Sequence, residues 1–131
     1  MTIEFSVLVV DDEDDFRETL VKRLRKRNLD VQGAETGLKA LAWMDKKGFD
    51  VVILDIKIPG LDGIETLREM KKKSPLTEVI LLTGHASLES GIEGMKLGAF
   101  DQVMKPVNID ELVDKMRQAF ERKVVQEEQA E

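Results

Sequence analysis

Short apolar runs alternate with longer amphipathic segments five times along this chain. The runs fall at residues 5–10, 29–34, 50–54, 78–82 and 101–104, and each is typical of a β-strand. The first and third runs contain four consecutive apolar residues, the pattern of a strand covered by helices on both faces, so we expect these two at the centre of a sheet. Because the segments between the runs are long enough for crossover helices, the pattern predicts five βα units around a parallel sheet.

The first predicted helix has clear boundary signals. Its apolar side chains recur every four residues, at Phe16, Leu20 and Leu24. Acidic residues at 12–15 open the segment and basic residues within 22–27 close it, which suits the helix dipole at both ends. We expect Asn28 to end this helix in the left-handed backbone conformation that asparagine tolerates.

The fourth and fifth predicted helices carry signals of opposite kinds. Asn108 precedes the last segment and Glu111 follows three positions later, so a capping box fixes the start of the fifth helix. Residues 88–97 predict the fourth helix, in which Gly91 and Gly94 each cost about 1 kcal/mol relative to alanine. The fourth helix is therefore predicted to be the most mobile of the five.

Length and composition limit the class of protein. The 131 residues predict one domain at residues 1–123, followed by an acidic tail at 124–131 that extends the last helix or frays from it. The absence of cysteine excludes disulfides, cysteine-based zinc sites and thiol nucleophiles, and a single histidine excludes His-rich metal sites. Twenty basic and twenty-six acidic residues leave a net charge of −6, which argues against a nucleic-acid partner. No apolar run approaches the roughly 20 residues of a membrane span and no signal peptide is recognisable, so we expect no membrane partner and a cytoplasmic location.

Polar side chains follow four of the five predicted strands. They are Asp11 and Asp12 after the first strand, Asp55 after the third, Thr83 after the fourth and Lys105 after the fifth. Ligands of open parallel sheets bind beyond the carboxyl ends of the strands, which meet at one edge. We therefore expect three carboxylates, a hydroxyl and an ammonium group to converge there.

A cluster of three carboxylates favours a divalent cation. Two carboxylates about 5 Å apart repel by roughly 3 kcal/mol at an effective dielectric constant of 20, so the cluster takes up protons or binds a cation. All-oxygen ligation suits Mg²⁺. With Mg²⁺ and Lys105 present the site is about neutral, so an incoming phosphoryl group is not repelled. One carboxylate could then act as a nucleophile and form an aspartyl phosphate, while Mg²⁺, Lys105 and Thr83 stabilise the oxygens of the transferred group.

The motifs around these residues resemble those of one protein family. The motifs are the acidic pair at 11–12, Leu54-Asp55, Ile-Pro-Gly-Leu-Asp-Gly at 58–63, Leu82-Thr83-Gly84, and Gly98-Ala99-Phe100 through Lys105-Pro106. In this order they resemble the receiver domain of two-component response regulators, over about residues 5–123. The resemblance implies an α/β fold of the flavodoxin-like kind, a three-layer, doubly wound (βα)5 domain with a parallel five-stranded sheet of order 2-1-3-4-5.

The resemblance also implies a role for each acidic residue of the site. Asp55 is the phosphoacceptor. Asp12 binds Mg²⁺ directly, whereas Asp11 binds it mainly through water. The backbone carbonyl of Lys57 is implied as a further ligand of the metal.

The implied reaction and response involve the other strand ends. In such a domain Thr83 moves to bond one phosphoryl oxygen after transfer, Lys105 bonds another, and the peptide between Lys105 and Pro106 is cis. The implied donor is a sensor histidine kinase or a histidine phosphotransfer protein. The implied response is a shift in the surface formed by the fourth helix, fifth strand and fifth helix, which controls an output protein or self-dimerisation. The chain is then a signalling domain and not an enzyme, although it catalyses its own phosphotransfer and dephosphorylation.

One position departs from the family pattern. Three residues before the lysine the family usually has Tyr or Phe, a switch coupled to the threonine, whereas this chain has Gln102. Alternation along the strand would place Phe100 on the same sheet face as Gln102, and we interpret Phe100 as a core residue. Lys57 and His85 flank the site and are predicted to tune the lifetime of the phosphorylated form, with Lys57 shielding the phosphoryl group from water.

Two other classes of function stay open from the residues alone. A Mg²⁺-dependent phosphohydrolase with an acidic nucleophile would share the aspartates, but such enzymes resemble an Asp-x-Asp pattern, and here Lys57 stands at the second position. A receiver-shaped scaffold that works by binding alone is favoured by Gln102. The complete set of acids, Thr83 and Lys105 argues against this scaffold.

Overall fold

Five strands alternate with five helices in the computed structural model, which describes residues 3–57, 63–84 and 88–130. The strands are β1 (Ser6–Val10), β2 (Asp30–Ala34), β3 (Val51–Asp55), β4 (Glu78–Thr83) and β5 (Asp101–Met104). The helices are α1 (Asp14–Arg25), α2 (Gly37–Lys46), α3 (Gly63–Lys73), α4 (Leu88–Lys96) and α5 (Ile109–Ala130). The alternation predicted from the apolar runs is confirmed. None of these helices combines the length and the apolar character that a membrane span requires.

The sheet has the predicted order and direction. All neighbouring strands pair in parallel, in the order β2-β1-β3-β4-β5. The apolar residues of β1 and β3 are fully buried, which agrees with their central places and with their continuous apolar sequences. The three-layer, doubly wound architecture is thus confirmed.

Two strands are one residue longer at their carboxyl ends than predicted. Asp55 pairs with Leu82, and Thr83 pairs with Met104, so both polar residues are the last members of their strands. The prediction that they follow the strands was wrong by one position, because parallel pairing continues beyond the apolar run. The backbones of Asp55 and Thr83 are consequently held by the sheet.

The helices cover the sheet in two layers. Buried side chains of α1 and α5 pack with Val7, Val9 and Ile53 on one face. Side chains of α2 and α3 pack with the alternate strand residues, such as Leu8 and Leu54, on the other. Helix α4 lies in this second layer, because a methyl group placed on its Gly94 would overlap the Leu81 side chain. Each sheet face therefore has its own apolar core.

The predicted helix-end signals are present in part: α1 ends at Arg25 with Lys26 as its C-cap, and one bond of the predicted capping box forms at the start of α5. Asn28 has φ of 64° in the turn after α1, as its position suggested. The Asn108 side chain accepts a hydrogen bond from the Glu111 N–H at 3.1 Å and so caps α5. Helix α5 continues to Ala130, through most of the sequence interpreted as an acidic tail.

Glycines let α4 approach the sheet closely. A methyl group on Gly91 would overlap the Gln102 side-chain oxygen, just as one on Gly94 would overlap Leu81. The sequence interpretation counted these glycines only as a cost to helix formation. Their close contacts with the sheet give them a packing role, whereas the mobility of α4 stays a prediction.

Candidate functional site

Three aspartates form a cluster at the carboxyl edge of the sheet. Asp11 and Asp12 follow β1, and Asp55 ends β3, which lies beside β1. One carboxylate oxygen from each lies within 4.8 Å of the others. Asp11 is fully buried, Asp12 is exposed, and the Asp55 side chain is 13% exposed. The cluster therefore has a buried floor and an opening toward solvent.

Hydrogen bonds from nearby backbone orient two of these carboxylates. The Glu13 N–H donates to Asp11 Oδ1 at 2.9 Å, and the Lys57 N–H donates to Asp55 Oδ1 at 3.0 Å. The Arg17 guanidinium donates to the backbone carbonyl of Asp11 at 2.8 Å and so holds the start of the loop. In both aspartates the other oxygen, Oδ2, is left to accept a hydrogen bond from Lys105.

Lys105 bridges the two oriented carboxylates. Its Nζ lies 3.0 Å from Asp11 Oδ2 and 3.3 Å from Asp55 Oδ2. The same Nζ lies 4.5 Å from the centre of the Phe16 ring, a cation–π contact that supports the side chain from α1. The Lys105–Pro106 peptide is cis, as the resemblance implied, and the Lys105 N–H donates to the Thr83 carbonyl at 2.9 Å. The ammonium group is thus held over the gap between β1 and β3.

The electrostatic environment shifts the pKa values of two site residues. Burial raises the pKa of Asp11 above its usual value, opposed by the Glu13 N–H and by Lys105. Burial alone would lower the pKa of Lys105, but the two aspartates outweigh it and raise this pKa above its usual value. Lys105 therefore stays charged at neutral pH and neutralises part of the cluster.

The carboxyl edge carries more negative charge than the opposite edge of the sheet. At the opposite edge each of three acids pairs with a lysine. These ion pairs are Asp30 with Lys47, Asp50 with Lys123 and Asp101 with Lys115. At the carboxyl edge, Lys105 is the one cation among the described residues that forms an ion pair with the cluster. It pairs with Asp11 and Asp55 but not with Asp12. The cluster is left with excess negative charge that a divalent cation would neutralise.

The chemistry of the donor set fits Mg²⁺. Three carboxylates, one of them exposed, supply hard oxygen ligands of the kind this ion prefers. The exposed position of Asp12 leaves space for water, which Mg²⁺ usually keeps in its coordination shell.

The structure brings most of the sequence-predicted residues together. Asp11, Asp12 and Asp55 form the cluster, Lys105 bridges two of them, and Thr83 ends β4, the strand between β3 and β5. The Lys57 side chain is exposed beside the cluster. His85 and residues 58–62 of the motif at 58–63 lie outside the described residues.

Gln102 lies apart from the aspartate cluster, on the face of the sheet that α4 covers. Phe100 packs on the opposite face, where it joins the core below α5 and lies under the Arg122 guanidinium. The prediction that Phe100 and Gln102 share a sheet face was therefore wrong. The reason is that β5 begins at Asp101, so strand alternation does not extend back to Phe100. Its interpretation as a core residue agrees with this packing.

Sequence reasoning missed the roles of three residues that shape the site, although one of them, Gly63, belongs to the motif at 58–63. Phe16 was interpreted only as part of the apolar helix stripe, and its contact with Lys105 carries no sequence signal. Arg17 was not singled out, although it binds the Asp11 carbonyl. Gly63, the first residue of α3, lies so close to Ile56 that a methyl group there would overlap the Ile56 backbone. This glycine lets α3 begin directly against the segment that follows Asp55.

Comparison with known proteins identifies the family. A family model described as the response regulator receiver domain matches residues 7–117. This chain belongs to that family. Phosphorylation-based switching is the standard function of receiver domains, which are signalling modules and not enzymes in the usual sense. Receiver domains use Mg²⁺ at a cluster of aspartates, and the cluster of Asp11, Asp12 and Asp55 occupies the corresponding edge of this sheet.

Sequence relatives are longer response regulators. The chain is 39% identical over 112 residues to the regulatory protein AtoC of Escherichia coli (strain K12), covering 86% of this chain and 24% of AtoC. It is 35% identical over 120 residues to a putative response regulator, NtrX-like, of Rickettsia felis, covering 90% of this chain and 25% of that protein. The chain thus spans about a quarter of the length of these curated relatives.

Solved structures agree with the family assignment. A receiver domain protein from Clostridium thermocellum superposes with a TM-score of 0.89 at 35% identity, covering 93% of this chain and 98% of that one. NtrX from Brucella abortus, solved in complex with ADP, superposes with a TM-score of 0.91 at 31% identity, covering 99% of this chain and 30% of that one. The receiver fold is therefore shared over nearly the whole chain.

Proposed function

We propose that this receiver domain accepts a phosphoryl group on Asp55 from a histidine kinase or a histidine phosphotransfer protein. The observation that carries the proposal is the approach of three carboxylates within 4.8 Å, two of them bridged by Lys105. Asp11, Asp12, Asp55 and the backbone carbonyl of Lys57 would hold Mg²⁺. When bound, Mg²⁺ supplies positive charge that offsets the charge of the transferred group.

The proposed transfer is a substitution at phosphorus. An oxygen of the Asp55 carboxylate forms the new O–P bond, and the N–P bond of the donor phosphohistidine breaks, so that its electron pair returns to the imidazole nitrogen, which then takes up a proton. Lys105 and the Thr83 hydroxyl donate hydrogen bonds to oxygens of the transferred group. In the second half of the cycle, water attacks phosphorus and the O–P bond to Asp55 breaks. Inorganic phosphate leaves and the Asp55 carboxylate is restored. The domain itself would catalyse both steps.

A groove beside the cluster would receive the donor. It has a volume of about 710 Å³ and lies between α1 and the start of α5. Its apolar lining includes Phe16, Leu20, Val107 and Ile109, and Lys105 stands at its border with the cluster. A helical donor seated there would bring its phosphohistidine next to Asp55. Because a kinase donor draws its phosphate from ATP, we place this exchange in the cytoplasm.

An exposed apolar surface fits the proposed response. Ile92 and Met95 on α4 are 49% and 38% exposed, and Met104 on β5 is 51% exposed. Contiguous exposed apolar patches are typical of interaction surfaces. We assign the surface of α4, β5 and α5 to contact with an output protein or with a second copy of the domain. Phosphorylation would change the populations of two arrangements of this surface.

Incubation with acetyl phosphate and Mg²⁺, followed by intact-mass analysis, tests the proposal. We expect a mass gain of one phosphoryl group that requires Mg²⁺ and is absent in Asp55→Asn. Asp45→Asn is the matched control, because Asp45 is an exposed aspartate on α2 away from the cluster, and it should be phosphorylated normally. A mass gain that persists in Asp55→Asn would refute the assignment of the acceptor.

The same experiment, combined with assays of partner binding and of turnover of an added phosphate ester, separates the other two functions. A protein that is never phosphorylated but binds its partner would be a scaffold. A protein that turns over an added phosphate ester many times would be a phosphohydrolase. A single transfer to Asp55 followed by slow release of phosphate would support the switch.

A further inference from the structure

Lys105 has an aromatic neighbour besides its two aspartate partners. Its Nζ lies 4.5 Å from the centre of the ring of Phe16, a residue in the first turn of α1. Three other contacts between a cation and an aromatic ring occur among the described residues, at 5.2, 5.6 and 5.7 Å, and none of them involves Lys105 or the aspartate cluster. The shortest cation–π contact of the described structure is therefore the one at the proposed site.

The Phe16 ring is held in place by the core and by its own helix. Phe16 is half-buried and packs against the core that α1 and α5 share with the sheet. The next residue, Arg17, donates to the Asp11 carbonyl at 2.8 Å and to the Asp14 carboxylate at 2.7 Å. These bonds tie the first turn of α1 to the loop that carries Asp11. The ring is thus fixed relative to the cluster.

A ring and a carboxylate hold an ammonium group in different ways. A lysine has three N–H donors, and Asp11 and Asp55 accept hydrogen bonds from Nζ. The ring face attracts the positive charge through its quadrupole and needs no such hydrogen bond. The contact with Phe16 can therefore persist while the donors of Lys105 exchange a carboxylate oxygen for a phosphoryl oxygen.

We propose that Phe16 is a positioning residue that holds Lys105 Nζ beside Asp55 by cation–π attraction while the phosphoryl group is transferred. This inference rests on the proposed function, in which Lys105 donates a hydrogen bond to the transferred group. The Lys105 side chain is 28% exposed and has a flexible four-carbon stem, so it needs a support to stay in one direction. A pre-positioned ammonium group lowers the barrier because it is already in place when charge develops.

Three substitutions at residue 16 separate the ring face from the space that the ring fills. Phe16→Leu keeps an apolar side chain and removes the ring. Phe16→Tyr keeps the ring, and the groove that Phe16 lines has room for the added hydroxyl group. Pentafluorophenylalanine, incorporated at residue 16 alone, nearly keeps the shape of the ring but reverses its quadrupole.

Phe100→Leu is the matched control. Phe100 is also half-buried, and its ring lies 5.7 Å from the Arg122 guanidinium, so this substitution likewise removes a cation–π contact. Because Phe100 directly precedes β5, it lies at the edge of the sheet opposite the cluster. Loss of a ring there should leave the reaction at Asp55 unchanged.

The rate of phosphorylation by acetyl phosphate at saturating Mg²⁺ measures the effect. A small phosphodonor is used because Phe16 also lines the groove proposed for a protein donor. We expect Phe16→Leu and the pentafluoro variant to lower the rate constant about three- to tenfold. Phe16→Tyr and Phe100→Leu should stay within about twofold of the unaltered protein. The half-saturating Mg²⁺ concentration should not rise, because no carboxylate of the cluster is altered.

Nuclear magnetic resonance of Lys105 detects the contact itself. The ring current of Phe16 should shift the resonances of the protons beside Nζ in the unaltered protein and in Phe16→Tyr. This shift should be lost in Phe16→Leu. Urea midpoints establish that each variant is folded, and if Phe16→Leu does not fold, the comparison of Phe16→Tyr with the pentafluoro variant decides the question.

The results that would overturn the inference are distinct from those that would overturn the proposed function. An unchanged rate constant in folded Phe16→Leu would overturn the inference. So would a pentafluoro variant of full activity, which would assign the effect to packing, or a rate constant for Phe16→Tyr as low as that for Phe16→Leu. A complete lack of mass gain in the unaltered protein would instead overturn the proposed function, and the role of Phe16 with it.

Discussion

Replacing Asp12 by asparagine is predicted to change stability in opposite directions with and without Mg²⁺. Asp12 contributes a third negative charge to the cluster, and Lys105 pairs with the other two aspartates and not with Asp12. Without a divalent cation, Asp12→Asn should therefore stabilise the fold, because it removes repulsion and breaks no ion pair. With Mg²⁺ the variant should be less stable than the unaltered protein, because it has lost a ligand.

The magnitude follows from the geometry of the cluster. At 4.8 Å and an effective dielectric constant of 20, two unit charges repel by about 3.5 kcal/mol. Asp12 is exposed, so solvent screening reduces the measurable effect to about 1 kcal/mol. Stabilisation of the unaltered protein by Mg²⁺ at a hundred times its dissociation constant would be about 2.7 kcal/mol. Most of that gain should be missing in the variant.

Urea unfolding with EDTA and with excess Mg²⁺ measures both effects. Asp15→Asn is the matched control, since Asp15 is an exposed acid in the first turn of α1 and lies outside the cluster. Loss of its favourable interaction with the helix dipole should destabilise by a few tenths of a kcal/mol, about equally in both buffers. Two results would refute the reasoning. One is a urea midpoint of Asp12→Asn in EDTA that lies below that of the unaltered protein. The other is a rise of its midpoint with Mg²⁺ as large as in the unaltered protein.

Three further substitutions test other parts of the structure. Gly63→Ala should lower the free energy of unfolding by about 1–3 kcal/mol in urea unfolding, because the new methyl group overlaps the Ile56 backbone. Gly48→Ala is the control and should be nearly neutral, because the new methyl group meets open space. Equal effects of the two substitutions would contradict the close approach of α3. Asn108→Ala should cost about 1 kcal/mol by the same measurement, since it removes the hydrogen bond that caps α5, and an unchanged midpoint would argue against the cap. Lys57→Ala keeps the N–H that orients Asp55 but should speed phosphate release from the phosphorylated protein, and an unchanged release rate would end the shielding hypothesis.

The fold was largely predictable because its signals are local. Continuous apolar runs at β1 and β3 identify central strands, since both faces of such strands must be covered. Asn28 and Asn108 identify helix ends, since their side chains suit those backbone positions. The order of the strands was not derivable from local pattern and came from the family resemblance.

The residues of the candidate site were predictable from the sequence, but the contacts that hold their side chains in place were not. Parallel strands bring their carboxyl ends to one edge, so the positions of Asp11, Asp55 and Lys105 after apolar runs were enough to group them. The contacts of Phe16 with Lys105 depend on the angle at which α1 crosses the sheet. The fit of Gln102 against Gly91 likewise depends on how close α4 lies to β5. No residue pattern within one element reports such distances.

Chemical trapping of the phosphorylated protein tests the central claim most directly. Borohydride reduces an acyl phosphate to an alcohol, so an aspartyl phosphate becomes homoserine, which peptide mass spectrometry can assign to one residue. After treatment with acetyl phosphate and Mg²⁺, we predict homoserine at position 55 and unchanged aspartate at positions 11 and 12. Homoserine at either of those positions, or aspartate retained at 55 in protein that has gained a phosphoryl group, would contradict the account.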